Sequence, residues 1–435
     1  MLEGLGSVSK IPELQRRILY TFLLLAVYRV GVFIPTPGID NAALLAFFEQ
    51  ARGSMLGLMD MFAGGALSSF SIFALGIMPY ISSSIILQLL TVAIPHLERL
   101  SKEGETGRRK ITQYTRYGTI ILSVIQGFGI AYGLQHMASP SGAPIVLQPG
   151  LSFIIMTVIT LTAGTAFIMW LGETITEKGI GNGISLIIFA GIVCRLPAGI
   201  VSTWDLYVAG ELHFLVVLFI LILMVAVVAA IVFVEAGQRR IPVQYAKRIV
   251  GRKMYGGQTT HLPLKINSAG VIPPIFASSV IMFPATIANF APQGWMKDIS
   301  EYLMPGRLGY ELLYVAFIFF FCFFYTAVTF KPDDVAENMK KFGGYVPGIR
   351  PGKKTAEYIE DILEKLTFSG AIYVSAVCVL PSILITQFNI PFYFGGTSLL
   401  IVVGVAMDTA GQVESHLLTR QYEGFMKKGH IARRR

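Results

Sequence analysis

The sequence predicts an all-α integral membrane protein of ten transmembrane helices built as two related halves, and three observations carry that expectation. Of 435 residues, 54% are hydrophobic and only 14% are charged, and the mean hydropathy is +0.63. That composition excludes a soluble globular enzyme as the default. A helix rises about 1.5 Å per residue, so about 20 apolar residues cross a hydrocarbon core of about 30 Å. Ten segments reach that length, near residues 18–36, 72–93, 117–136, 151–171, 183–203, 213–234, 268–290, 312–330, 367–388 and 397–416. They are too long and too continuously apolar to be barrel strands. The third observation is a repeat: Gly76-Ile77-Met78-Pro79-Tyr80-Ile81-Ser82-Ser83-Ser84 returns 194 positions later as Gly270-Val271-Ile272-Pro273-Pro274-Ile275-Phe276-Ala277-Ser278. Each copy opens an apolar segment, which points to two related halves with a shared interior.

Along the chain, Glu3, Lys10, Glu13, Arg16 and Arg17 precede an apolar run longer than the core of a signal peptide, so the first span reads as a retained helix. Arg29 lies within it, and Asp408 lies in the last span. Intramembrane charges are candidates for function. Snorkelling or helix pairing is the favoured alternative, because ion-coupled transporters hold several ionisable groups near the midplane. Residues 57 to 71 combine adjacent glycines, three serines and the cluster Leu58, Met59, Met61 and Phe62. Their composition alone reads as a surface loop with a short amphipathic helix. Ile81 with Ile85, and Ile184 with Ile188, are spaced i,i+4 and share a helix face. An isoleucine in a membrane helix is by itself ordinary packing. Cys194, Cys322 and Cys378 form no CxxC pair and read as buried small hydrophobes.

With the N-terminus inside, the inner segments hold 30 of the 35 Lys and Arg residues and the outer loops hold 3, while Arg29 and Arg195 lie in or at the rim of spans. Positive residues resist translocation, so both termini are expected in the cytoplasm. Three inner loops exceed what topology needs, and two of them carry a readable pattern. Residues 235 to 266 carry Arg239, Arg240, Lys247, Arg248, Arg252 and Lys253 with Tyr245 and Tyr255 interleaved; residues 331 to 366 present Arg350 among Pro347, Gly348, Pro351 and Gly352. A turn of that composition holds a cation clear of the surface. A polyanion such as ribosomal RNA, or an acidic protein patch, would meet these loops favourably.

Chemistry-bearing motifs are missing. The sequence contains no HExxH, GxxxxGK[ST] or GxSxG pattern and no His/Cys cluster with metal spacing, so neither an enzyme nor a cofactor is expected. Gly179-Ile180-Gly181-Asn182-Gly183 looks like a phosphate loop but joins two apolar segments, and reads as a turn and helix start.

Several longer motifs are specific. Met61-Phe62-Ala63-Gly64-Gly65-Ala66-Leu67-Ser68, followed by Ile72-Phe73-Ala74-Leu75-Gly76-Ile77-Met78-Pro79-Tyr80-Ile81, closely resembles the SecY family of protein-conducting channels. So do Gly179-Ile180-Gly181-Asn182-Gly183-Ile184-Ser185, Tyr245-Ala246-Lys247-Arg248, Thr260-His261-Leu262-Pro263-Leu264-Lys265, Ile349-Arg350-Pro351-Gly352 and Gly395-Gly396-Thr397-Ser398-Leu399-Leu400, in family order. The outer loops 137 to 150 and 200 to 212 carry little of the resemblance.

The resemblance implies two inverted pseudo-symmetric five-helix halves, residues 1–204 and 205–435, around a central hourglass pore, with a cytoplasmic tail at 417–435. It implies an aliphatic pore ring of Ile81, Ile85, Ile184, Ile188, Ile275 and Ile401. Such a ring excludes water and ions by dewetting and offers a passing polypeptide no specific partner. A plug over about 57–71 would include Gly57, Met61, Phe62, Gly64, Gly65 and Ser68, and a lateral gate Ser278, Ser279, Phe283 and, more weakly, Gln126. Arg239, Arg240, Lys247, Arg248, Arg252, Lys253 and Arg350 would dock the ribosome or the SecA motor. The implied location is the cytoplasmic membrane, and the implied partners are SecE and SecG, SecA, the ribosome, YidC and SecDF, signal sequences and nascent chains, and membrane lipids. An inverted-repeat secondary transporter is the alternative, disfavoured by the aliphatic midplane.

Overall fold

The computed structural model describes the backbone of residues 11–50, 57, 60, 63–136, 144–210, 213–245, 248–250, 253–255, 259–290, 307–388 and 396–432. All ten apolar segments fall on helices. They are carried by α1 (Pro12–Val32), α3 (Met78–Ala93), α5 (Glu105–His136), α6 (Leu151–Lys178), α7 (Gly183–Val193) continued by α8 (Leu196–Val208), α9 (Phe214–Ala236), α10 (Ile272–Phe290), α11 (Leu308–Thr329), α13 (Lys353–Phe388) and α14 (Gly396–Ala432). Three shorter helices, α2 (Asn41–Gln50), α4 (Pro95–Lys102) and α12 (Pro332–Lys341), lie between them. Among the described residues six helices are long and apolar enough to cross a membrane, and a seventh qualifies if α3 and α4 are counted as one span bent by 101°. Pro95 sets that bend, since it stands in the first turn of α4 and cannot continue the hydrogen-bond ladder of α3. In α1, Arg16, Arg17 and Arg29 dilute the apolar run.

The repeat is structural as well as sequential. Gly76 and Gly270 both have left-handed backbones, with φ of +55° and +65°. Pro79 and Pro273 both fall in the first turn of the helix that follows. A left-handed residue reverses the chain, and a proline with φ preset near −65° starts a helix without sacrificing a hydrogen bond. The same two devices therefore open α3 and α10.

The chain forms two compact units: Met1–Leu206 with Ser279–Tyr310 and Ile401–Arg435, and Tyr207–Ser278 with Glu311–Leu400. In the first unit, α5 packs along α6, and Leu161, Ile168, Leu171, Ile175, Ile187 and Ile192 are fully buried. The glycine-rich turn before α7 is a helix start: the Asn182 side chain accepts from the amides of Ile184 and Ser185 at 3.1 and 3.4 Å, capping the helix. In the second unit, α9 buries only Ile220 and Ile231 and leaves Leu215, Phe219 and Phe233 exposed. An apolar helix so open belongs against hydrocarbon.

Two expectations change. The inner loops contain strands, β1 (Gln238–Tyr245), β2 (Arg248–Val250), β3 (Lys253–Tyr255), β4 (Thr259–Lys265) and β5 (Gly344–Tyr345), because Ile241 and Val243 alternate with exposed Arg240 and Pro242 and supply a one-sided apolar face. Cys322 and Cys378 are buried, but Cys194 is exposed, since it stands at the break between α7 and α8.

Gly270→Ala isolates the cost of the left-handed turn, because an added methyl meets no atom within 4 Å; that cost is about 1 to 2 kcal/mol. Gly76→Ala also crowds the Ala63 backbone, 3.3 Å from the new Cβ. Thermal unfolding in detergent should rank wild type above Gly270→Ala and Gly270→Ala above Gly76→Ala. Equal midpoints for all three would contradict a shared strained turn.

Candidate functional site

The glycine-rich segment after α2 folds around one carboxylate. Asp60 Oδ1 accepts from the amides of Leu67 and Ser68 at 3.1 and 2.8 Å, and the Asp60 carbonyl accepts from the Gly65 amide at 2.9 Å. The Ser68 hydroxyl donates to the Gly65 carbonyl at 3.1 Å. These bonds answer backbone groups that form no helix or sheet ladder. Further on, antiparallel bonds tie the segment to the end of α1: the Thr36 amide donates to Phe70 at 2.8 Å and the Ile72 amide to Ile34 at 3.0 Å.

Side chains from distant helices grip this segment. At the last turn of α1 the Tyr28 hydroxyl donates to the Ala63 carbonyl at 3.3 Å, and Arg29 Nη1 donates to the Gly64 carbonyl at 2.9 Å. Arg29 also lies over the Phe33 ring, 4.9 Å from its centroid. Arg195, at the junction of α7 and α8, pairs with Asp60 Oδ2. The Asp60 side chain is 6% exposed and that of Arg195 31%. Gly64 packs backbone to backbone on Gly191 of α7: a Cβ on Gly64 would stand 2.7 Å from the Gly191 Cα, and φ at Gly64 is +66°. Phe73 is sandwiched between Tyr28 and Phe167 at 5.9 and 6.0 Å. The segment is thus seated among α1, α6 and α7, and the composition-based reading of a surface loop is corrected. Helix pairing or snorkelling for Arg29 is corrected as well, since its guanidinium holds loop backbone. Of the implied plug residues, Gly57 is helical and half-buried, Gly64 is buried, Gly65 and Ser68 are half-buried, and Met61 and Phe62 lie outside the described residues. Sequence reasoning missed Asp60. The available signal was that it is the only charge between Arg52 and Glu98.

Of the six ring isoleucines, Ile81, Ile85, Ile188, Ile275 and Ile401 are buried, at 6%, 3%, 2%, 8% and 0% exposure. Ile184 is half-buried and packs toward Gly172 of α6, where a Cβ would come within 3.1 Å of its Cγ1. Ile275 belongs to the second unit and the other five to the first. Among the gate residues, Ser278 and Ser279 are buried, and the Ser278 hydroxyl donates to the Ile275 carbonyl at 2.9 Å, spending its polarity inside α10. Gln126 is half-buried on α5. Phe283 falls on α10, and its side chain lies outside the described residues. The start of α10 is held by Tyr314, whose hydroxyl reaches the Pro274 carbonyl at 3.5 Å and Thr397 Oγ1 at 2.7 Å.

The two inner loops form one body. β1 pairs antiparallel with β4, from Gln238↔Lys265 to Gln244↔Thr259, and on its other edge with β5 through Gln244↔Tyr345 and Tyr245↔Gly344. β2 and β3 make a separate hairpin. Ile241, Val243, Leu264, Met339, Val346, Ile359 and Leu363 bury one another beneath the sheet. Burying such a side chain contributes about 1.5 to 3 kcal/mol, so this platform has a core of its own outside the apolar spans. Arg239 and Arg240 are exposed on β1. Arg350 is exposed at the turn beyond β5, and its carbonyl accepts from the Thr355 hydroxyl at 3.0 Å. Arg248 and Lys253 stand on β2 and β3; Lys247 and Arg252 lie outside the described residues.

Asn267, absent from the sequence expectations, joins the platform to the spans. Its amide nitrogen donates to Glu235 Oε1 at 2.6 Å and to the Gly270 carbonyl at 3.1 Å, while its Oδ1 accepts from the Gly270 amide at 3.1 Å. One buried side chain so bridges the end of α9 and the turn that opens α10. In the first unit, an apolar cleft of about 440 Å³ lies among Phe22, Leu25, Ile180, Phe189, Val405 and Val413.

The SecY family's sequence profile matches residues 71–410. The protein translocase subunit SecY of Escherichia coli is 55% identical over 425 residues, covering 97% of this chain and 96% of that protein. Among solved structures, one reported as the structure of a protein-conducting channel superposes with a TM-score of 0.66 at 18% identity, over 94% of this chain and 96% of the other. Another, reported as showing that the plug domain of the SecY protein stabilises the closed state of the translocation channel and maintains a membrane seal, gives 0.64 at 19% identity with the same coverage. At these identities the structural likeness establishes the fold.

Proposed function

This chain belongs to the SecY family, and on that premise we propose that it is the channel through which unfolded secretory polypeptides cross the cytoplasmic membrane and from which transmembrane segments pass sideways into lipid. The observation that carries this is 55% identity over 425 residues to a protein translocase subunit, a match that spans every motif discussed above.

The proposed pore divides residues 1–204 from 205–435 and is constricted by Ile81, Ile85, Ile184, Ile188, Ile275 and Ile401. Ile81, Ile85, Ile188 and Ile401 are buried in the first unit and Ile275 in the second, as suits residues that exclude water. Residues 57 to 71 are the plug beneath the ring. Seating among α1, α6 and α7 supports this, because non-spanning backbone survives at membrane depth only where protein or a water-filled cavity receives it. The lateral gate uses Ser278, Ser279 and Phe283, with Gln126 opposite. An apolar segment leaving through it gains about 0.8 kcal/mol per buried methylene.

The platform is the docking face for the ribosome and the SecA motor, with Arg239, Arg240, Lys247, Arg248, Arg252, Lys253 and Arg350 as its cations. SecE and SecG are the companion subunits, YidC and SecDF the accessory partners, and both termini face the cytoplasm. The strand pairing that joins the two loops supports a single docking platform, since it ties the strand carrying Arg239 and Arg240 to the strand that leads into the Arg350 turn.

Replacing Ile401 or Ile275 with Asn puts an amide into the constriction, favours hydration and biases the channel open. Resting ion leak in a planar bilayer should rise, and substrates with weakened signal sequences should be exported more readily. Unchanged leak together with unchanged signal stringency in both variants would sink the ring assignment.

Arg350→Glu should assemble normally with SecE yet lose motor-driven translocation into inverted vesicles supplied with SecA and ATP. Wild-type transport by this variant would show that the loop's charge serves topology alone.

A further inference from the structure

We propose that Asp60 and Arg195 form an electrostatic latch that keeps the plug seated and loosens as the pore wets. The inference rests on the reading of residues 57 to 71 as the plug.

The two oxygens of Asp60 divide the work. Oδ1 organises the segment itself through the Leu67 and Ser68 amides, whereas Oδ2 faces outward to Arg195, 135 residues away. The carboxylate therefore couples the segment's own fold to its attachment. Asp60 is 4% exposed, and a carboxylate so buried is tolerable only while its partner stays in place. Arg29 is a second clasp of different chemistry, a cation on a neutral carbonyl at Gly64. Displacing the segment breaks both.

Hydration decides the strength of such a latch. An ion pair that is strong in dry protein loses most of its attraction once water surrounds it, whereas an apolar seat would be held more tightly in contact with water. Water entering beneath a dilated constriction would weaken the Asp60–Arg195 pair and solvate both charges as they part. The closed state is then self-consistent when dry and the open state self-consistent when wet, which makes the plug bistable. Apolar contacts at the same place would oppose release at the moment when it is required.

The test measures resting ion conductance of the purified translocase, holding this chain with its companion subunits, in planar bilayers. Asp60→Asn keeps an oxygen for the Leu67 and Ser68 amides and removes the charge; Arg195→Gln removes the other half. Losing one charge-assisted bond corresponds to an increase in resting open probability on the order of tenfold to a hundredfold, larger for Arg195→Gln, which strands the buried carboxylate, than for Asp60→Asn, and no larger in the double variant than in Arg195→Gln. Arg195→Lys, which retains the cation, should stay within about threefold of wild type. Arg195→Gln should add nothing in a channel lacking residues 60 to 68.

Silent single variants beside a leaky deletion would overturn the latch and leave the plug reading standing. So would additive effects in the double variant, or an Arg195→Gln leak that persists at full size in the deleted channel. A deletion that leaves the channel tight would overturn the plug reading itself, and the latch with it.

Discussion

Inside a membrane protein every backbone amide, carbonyl and charge must find its partner within the chain, and this requirement shapes the molecule around its non-spanning segment. Helices meet it with their own ladders. The described residues from Ala63 to Ile72 form no such ladder, so their groups are answered by the Asp60 carboxylate, itself paired with Arg195, by Tyr28 and Arg29, and by the chain leaving α1. Two of the very few charges in or beside the apolar spans are consumed there. The rarity of charge in the apolar spans and the seating of this non-spanning segment are thus linked.

The same logic explains where polarity gathers in the second unit. Glu235 ends an almost wholly apolar helix, and Asn267 and Gly270 open the next. Their hydrogen bonds fix the base of the sheet to the start of α10 at the level where apolar spans give way to charged surface. Beneath the strands, Ile241, Val243 and Leu264 pack on Ile359 and Leu363 from the polar end of α13. The strands are therefore a packed body and not loose loops, and Asn267 ties that body to the start of α10.

The sequence revealed what is local or periodic. Apolar length located all ten helical segments, and Gly76 with Pro79 and Gly270 with Pro273 announced two helices begun by one device. Asn182 and its glycines were legible as a turn for the same reason. The three-stranded sheet was missed because β1 is eight residues long and its partners begin 21 and 106 residues after its start, so no short window holds its pairs. Asp60 and Arg195 were missed because nothing within 135 residues of chain announces their meeting. The aliphatic ring is invisible to periodicity as well: Ile81 and Ile188 resemble any packed isoleucine, and only family resemblance singles them out.

The claim on which the account turns is that these isoleucines line the path of the polypeptide. A photoreactive side chain can be placed at position 81, 188, 275 or 401, and in parallel at Leu215 and Phe233 on the open face of α9, in the assembled translocase holding an arrested secretory chain. The account predicts adducts with the arrested chain at all four ring positions and none on α9. Ring positions that fail to react, or that react no more than the α9 controls, would contradict it.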